Sequence, residues 1–385
     1  MIPTYYSDYL SFLRFCINAD AEVPDCVRTI NWQGLLTFAI EQTVTGLCCH
    51  GIMKLNAMTE NGRSIDDIFG SNKPTDDDLL MWFKKTARIP KKNESVDRTL
   101  AMFCKFMKKR NVSFVVFKGQ TLAPCYDHPE VRICGDIDFY VAEAQREEVR
   151  EMLKRIVTFS DTPSLQHWEF KADGVPYEMH FHTTVFSVPK HQEYWDGIVE
   201  EDLKKNMACR DNGSPYYNFV TILGEDVPTF SPEVNAVYLF LHLHYHFMKE
   251  GVGMRQFVDW MVFFQAFAGK IDRNRVEEML SNLQYEKAFR AFGAVLVDTL
   301  GLKADLFPMQ INEQDRKWVP AIMKIVLRGG NFGHHGRLTN KKGLLHSLET
   351  GLRSVSHVFR FYSLAPSENR RFLKEIIKLS IKKNL

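Results

Sequence analysis

Asp136 and Asp138 stand two residues apart in the run Gly135-Asp136-Ile137-Asp138-Phe139-Tyr140-Val141. In an extended strand such residues project from one face, which leaves Ile137 and Phe139 to face a core on the other. Two carboxylates aligned in this way repel; unit charges roughly 4 Å apart cost about 4 kcal/mol at an effective dielectric of about 20. A divalent cation turns that repulsion into attraction, so the pair reads as a metal site. Glu178, between Tyr177 and Met179 in a later β-rich run, is the candidate third carboxylate. Oxygen ligands suit Mg²⁺, or Mn²⁺ in its place. Two such ions, about 3.5–4 Å apart, balance charge on the attacking and leaving oxygens of a displacement at phosphorus. The chemistry that fits is transfer of a nucleoside monophosphate from a nucleoside triphosphate, ATP or another, to a hydroxyl acceptor.

The segment before the acidic strand supplies groups for the triphosphate. Lys118-Gly119 follows the apolar run Ser113–Phe117; glycine lets backbone N–H groups approach phosphate oxygens, and a helix start after it offers unsatisfied donors. Lys118 and Arg132 are candidates to meet triphosphate charge, the arginine by a bidentate contact, although Asp127 and Glu130 offer Arg132 a local partner instead. His180 and His182 share a face with Glu178 if that strand is regular, and His180 is a candidate to orient the site or its substrate. His242 and His246 lie one helical turn apart, a zinc-chelating spacing. No glutamate stands inside the interval and no third ligand is evident, so packing near the cleft is the preferred reading.

A glycine turn, a DxD strand and a third carboxylate on a later strand together resemble the DNA polymerase β-type nucleotidyltransferase superfamily. The matching residues are Gly119, Asp136-Ile137-Asp138 and Tyr177-Glu178-Met179. More closely, FKGQTLAPCYDHPEVRICGDIDFYV followed by YEMHFH and GMRQFVDW looks like a bacterial branch of it described as uncharacterised nucleotidyltransferases, over roughly Ser113 to Trp260. The resemblance implies a nucleotidyltransferase fold, metal-dependent transfer with Asp136, Asp138 and Glu178 as metal ligands, and a cleft-facing Arg255. The superfamily's serine after the turn glycine is here Gln120, with Thr121 next as the hydroxyl that would replace it. That departure motivates a second reading, a noncatalytic nucleotide-binding regulatory protein on the same fold.

The composition narrows the partners. With 385 residues, 45% hydrophobic and 25% charged, the chain is an ordinary globular one, long enough for two domains or one large α+β body. A net charge of only +2 provides no overall field to recruit nucleic acid or anionic membrane. A nucleic-acid acceptor is possible but not favoured over a small molecule or a protein. The start shows no secretory leader, and the apolar run Val237–Leu243 is too short to span a bilayer. Eight cysteines without a CxxC pair suit reduced thiols in a cytoplasm.

Apolar spacing predicts helices over 5–18, 31–53, 76–85 and 95–110, with a break at Ile89-Pro90-Lys91-Lys92 and a loop over 56–74. A short helix is expected over 120–126 and another over 142–157. Strands are expected over 113–117, 136–141, 167–172, 175–182 and 219–223, the third and fourth joined through Asp173-Gly174 as a hairpin. From Glu233 onward the pattern is helical, interrupted by a polar Gly/His/Lys-rich loop over 329–343 and closed by an amphipathic basic helix over 372–383. The expected fold class is α+β: a nucleotidyltransferase-like mixed sheet flanked by helices. It divides into an N-terminal helical region (1–110), an α/β core (111–230) and a helical C-terminal region (231–385).

Overall fold

The computed structural model describes residues 4–162, 164–249, 251–333, 335 and 344–383. Most of the expected 329–343 loop therefore lies outside the described residues, as do the side chains of the basic tail beyond 374. Four strands form the central sheet: β1 (Phe114–Phe117), β2 (Ile137–Val141), β3 (His167–Ala172) and β4 (Val175–His180), in the order β1-β2-β4-β3. The β2–β4 pair is parallel and the other two are antiparallel, which makes the sheet mixed. The hairpin turn between β3 and β4 has Asp173 at φ 50° and Gly174 at φ 76°, the two left-handed residues that a type I′ turn requires. A second hairpin, β5 (Phe219–Ile222) with β6 (Glu225–Pro228), completes the strands among the described residues; its second strand has no counterpart among the expectations.

Alternate residues of β1 enter different cores, as strand geometry demands. Phe114 and Val116 join one apolar cluster with Ile137, Phe139, Tyr177 and Met179, closed by Leu100 and Cys104 from the helix Ile89–Lys108. Val115, Phe117 and Tyr140 face the other way, into a larger cluster that runs from Tyr9 to Ala365. Phe117 stacks on Phe230 at 5.2 Å and meets Tyr238 edge-on at 5.0 Å between ring centres. The result is a sheet covered by helices on both faces, an α+β fold.

Four local expectations are corrected. The helix expected to begin at Ser95 begins at Ile89, with Pro90 in its first turn, where proline removes no intrahelical bond. The extra turn matters, because Asn93 Nδ2 donates to the carbonyls of Glu130 (2.9 Å) and Arg132 (2.8 Å) and Lys92 Nζ to that of Cys134 (3.1 Å). The single helix expected over 31–53 is two, Trp32–Glu41 and Thr45–Glu60, separated at Thr43 with φ 60°. Gln42 is fully buried at this break; its Oε1 accepts from Met254 N at 3.1 Å and its main-chain oxygen from Arg255 N at 3.3 Å. Amides at a helix start need such acceptors, so the break anchors the helix Met254–Ala266. The helix expected over 120–126 is two single 3₁₀ turns, Gly119–Thr121 and Ala123–Cys125, and part of the loop expected over 56–74 is the short helix Ile65–Phe69.

The 23-residue helix Pro189–Asp211 has no counterpart among the expectations. Its inner face carries Trp195, Ile198, Val199, Leu203 and Met207 at helical spacing, but buried His191 and Asn206 sit among them and blur the pattern. Both are satisfied from far away: His191 Nδ1 lies 2.6 Å from Glu368 Oε1, and Asn206 Nδ2 donates to the carbonyls of Asn218 and Thr229. Glu368, at the start of the helix Pro366–Lys383, also accepts from Ser187 N at 2.6 Å.

Gly46 shows how tightly the N-terminal helices hold the loop before β2. A Cβ at this position would lie 2.0 Å from the carbonyl oxygen of Val131, a backbone atom that cannot step aside. Gly46→Ala is therefore expected to destabilise the fold by about 1–3 kcal/mol, read as a lower urea midpoint. An unchanged midpoint would show that the loop carrying Arg132 yields freely.

Candidate active site

The parallel pairing of β2 with β4 places Asp138 beside Glu178, and antiparallel β1 places Phe117 on the other side of Asp138. Asp136 sits just ahead of β2. Ligand oxygens of Asp136, Asp138 and Glu178 all lie within 4.8 Å of one another. Asp138 is fully buried: its Oδ1 accepts from Lys118 Nζ at 2.8 Å and from His180 Nε2 at 2.9 Å, while its Oδ2 is buried with no hydrogen-bond partner. Glu178 Oε2 lies 3.3 Å from His180 Nε2 and 3.5 Å from His167 Nδ1.

Burial, then repulsion from Asp136, raises the Asp138 carboxyl to about 7 against the opposing pull of Lys118. Burial also works against ionisation of Glu178, yet the His180 hydrogen bond and the Lys118 charge outweigh it and hold that carboxyl far below the usual range. Desolvation disfavours charge on His180, but its bonds to Asp138 and Glu178 win and raise it to about 9. Three carboxyl groups thus converge on two cationic side chains, Lys118 and His180, and the buried Asp138 is the one whose negative charge the site tolerates least.

Lys118 is held there by a backbone that few side chains adopt, φ 49° and ψ −159°. Conformations of this kind cost about 1–3 kcal/mol and persist where the surroundings impose them. Gly119, also at positive φ, brings its α-carbon so near Asp136 that a Cβ would lie 3.2 Å from the Asp136 carbonyl oxygen. The strained Lys-Gly pair therefore presses the turn against the acidic strand.

The same cavity has a basic end. Lys118, Gly119, Arg132, Asp136, Glu178, His180 and Arg255 all line it. Arg132 makes two bonds to Asp259, Nε to Oδ1 at 2.7 Å and Nη2 to Oδ2 at 2.9 Å, and the Tyr126 hydroxyl donates to Oδ1 at 2.6 Å. Arg132 therefore pairs with neither Asp127 nor Glu130, and Asp259 pairs with Arg132 rather than forming a surface pair with Arg255. Arg255 Nη1 donates to the Ile133 carbonyl at 3.0 Å. Arg132 Nη1 and Arg255 Nε are buried without hydrogen-bond partners. Two guanidiniums share one carboxylate, and burial and the Arg132 charge together lower the Arg255 pKa.

Thr121 stands apart from these. It is buried, its hydroxyl donates to the Lys118 carbonyl at 2.8 Å, and it is not among the cavity-lining residues. Gln120, at the superfamily's serine position, is likewise turned to Asp97. His182 leaves the strand face, since β4 ends at His180, and its Nδ1 meets Asp196 at 2.8 Å. His242 and His246 line the cavity but belong to no metal-holding group among the described residues. His167 carries no motif of its own, although counting back from the Asp173-Gly174 turn places it opposite His180. Asp259 had no such signal, because nothing local ties it to Arg132.

The sequence pattern of the family described as uncharacterised nucleotidyltransferase matches residues 28–301, well over half of the chain. The chain belongs to that family. The match to this nucleotidyltransferase family reaches beyond Ser113–Trp260 on both sides and contains every site residue described above. A solved structure with some likeness is an antigenic nucleotidyltransferase-like protein from Paracoccidioides brasiliensis, 13% identical, with a TM-score of 0.30, covering 54% of this chain and 93% of that one. At that distance nothing about the site follows from it. No curated protein matches.

Proposed function

We propose that this nucleotidyltransferase moves a nucleoside monophosphate from an NTP to a hydroxyl acceptor with Mg²⁺ or Mn²⁺. The observation that carries the reading is the division of one cavity into an acidic end, where three carboxyl groups converge, and a basic end, where Arg132 and Arg255 share the single carboxylate of Asp259. A triphosphate with its cations complements both ends. The donor set fits a hard divalent ion: three carboxylates converge, and the buried, unpartnered Oδ2 of Asp138 is an oxygen that a cation would satisfy. Asp136, Asp138 and Glu178 would hold it, and when bound it supplies charge neutralisation at the attacking and leaving oxygens.

The chain's own residues divide the remaining work. Arg132 and Arg255 offer N–H groups to phosphate oxygens, with Asp259 fixing the plane of Arg132. Gly119 allows close approach of the backbone, and Lys118 can exchange its carboxylate partner for a phosphate oxygen. His180 orients Asp138 and Glu178 rather than the nucleotide. Thr121 holds the turn through the Lys118 carbonyl, so no substrate role is assigned to its hydroxyl. The acceptor is a small molecule or a protein in preference to a nucleic acid. No helix among the described residues is long and apolar enough to cross a membrane, and none of the eight cysteines is in a disulfide, in keeping with a cytoplasmic setting.

One observation favours a noncatalytic nucleotide-binding protein instead: neither Gln120 nor Thr121 presents a polar group to the cavity. Incubation with α-labelled NTPs, Mg²⁺ or Mn²⁺ and cell extract separates the two. Transfer predicts a labelled acceptor with release of pyrophosphate. Saturable nucleotide binding with neither product, across small-molecule, protein and RNA acceptors, would establish the regulatory reading.

A further inference from the structure

His167, at the start of β3, is directly opposite His180 in β4, and both face Glu178. Their donor atoms form a second group, His167, Glu178 and His180, again all within 4.8 Å of one another. Only Glu178 is shared with the all-carboxylate group. Each imidazole has its other nitrogen already committed. His180 Nδ1 is 3.1 Å from the His182 carbonyl oxygen, which can only accept, so Nδ1 carries a proton; Nε2, which donates to Asp138 Oδ1 at 2.9 Å in the metal-free cluster, also points at Glu178 and would give up that proton to an incoming ion. His167 Nε2 is 3.0 Å from Glu169 Oε1, which leaves Nδ1 aimed at the same Glu178 oxygen. That Nδ1 is buried with no hydrogen-bond partner, and at 3.5 Å from Glu178 Oε2 it is beyond ordinary hydrogen-bonding distance.

Both spacings suit an ion held between the groups. Metal–nitrogen and metal–oxygen bonds of about 2.0–2.1 Å in tetrahedral arrangement place neighbouring donors about 3.4 Å apart; here Glu178 Oε2 stands 3.3 Å from His180 Nε2 and 3.5 Å from His167 Nδ1. The Glu169 and His182 contacts are the outer bonds that fix the tautomer and ring plane of ligating histidines. Two imidazoles and a carboxylate are a donor set for first-row transition ions, whereas Mg²⁺ keeps to oxygen.

We propose that His167, His180 and Glu178 form a second, nitrogen-bearing cation site in the wall of the cavity, which takes a divalent transition ion of the Mn²⁺-to-Zn²⁺ series in preference to Mg²⁺. It shares Glu178 with the carboxylate site, so one side chain bridges two ions of different chemistry. The site does not require the transfer reaction and can be tested without nucleotide.

The probe is Co²⁺, whose visible absorption reports nitrogen coordination. Titrating the full-length protein with Co²⁺ in millimolar Mg²⁺ should give saturable visible bands that Zn²⁺ abolishes. His167→Ala, at a partly exposed position, should lose them while keeping the parent's circular dichroism. Glu169→Gln should weaken Co²⁺ binding about 10- to 100-fold, and Asp136→Asn should leave the bands in place. The proposal is overturned if the bands are absent, if Mg²⁺ displaces Co²⁺ at similar concentration, or if His167→Ala binds Co²⁺ like the parent. Failure of transfer with these bands intact would sink the functional reading and leave this site standing.

Discussion

Asp136→Asn and Asp138→Asn should each lower the rate of nucleotidyl transfer by at least about 10³-fold, the equivalent of several kcal/mol of lost charge stabilisation. The second variant has a further signature. Ionised Asp138 is a burden on the folded chain, because burial and Asp136 raise its carboxyl to about 7. Amidation removes that burden and leaves Asp136 and Glu178 facing Lys118 and His180. The urea midpoint of Asp138→Asn at pH 7.5 should therefore match or exceed that of the parent while turnover disappears. A rate within tenfold of the parent would remove Asp138 from the chemistry. A large fall in midpoint would mean that Lys118 and His180 depend on this one carboxylate for their burial.

Asp259→Asn should act in the opposite way, through stability first. Arg132 and Asp259 are both buried, and removing one charge of such a pair leaves the other uncompensated at a cost of about 3–5 kcal/mol. The pH dependence has a definite sign. Burial opposes ionisation of Asp259, but the Arg132 charge and hydrogen bonds prevail and hold its carboxyl below the ordinary 3.8. A depressed carboxyl contributes stability that is complete above its unfolded value and is lost as pH falls through the folded one. Parent and variant should therefore differ by a constant amount from pH 5 to 8 and converge only at the acid extreme. Urea titrations at pH 3, 5 and 7 check this; a difference below about 1 kcal/mol at pH 7 would show that Arg132 finds another partner.

The acidic strand and its neighbour could be read from the chain because their signals are local. Asp136 and Asp138 alternate with Ile137 and Phe139, and Asp173-Gly174 marks the turn that returns β4 to the sheet. Those two facts bring Glu178 within reach of the pair. The basic end was only half legible. Arg132 stood out, but its partner Asp259 lies 127 residues away with no local mark of the contact. Pro90 misled because proline is a breaker inside a helix and harmless in its first turn. Gln42 gave no sign that it ends one helix in order to hold the start of another. The helix Pro189–Asp211 was hidden by two polar residues, His191 and Asn206, whose partners arrive from distant segments. In each case the missing information was tertiary: a buried polar group looks like surface until its partner is known.

Each apolar covering of the sheet takes part of its residues from outside 111–230, which bears on how the protein can be dissected. A fragment limited to residues 111–230 would retain Asp136, Asp138 and Glu178. It would forfeit Leu100 and Cys104 on one side and Tyr238 on the other, uncovering part of the surface of Phe114 and of Phe117. Such a truncation should come out of expression hosts as insoluble material, and its silence in an assay would say nothing about the catalytic competence of the intact polypeptide.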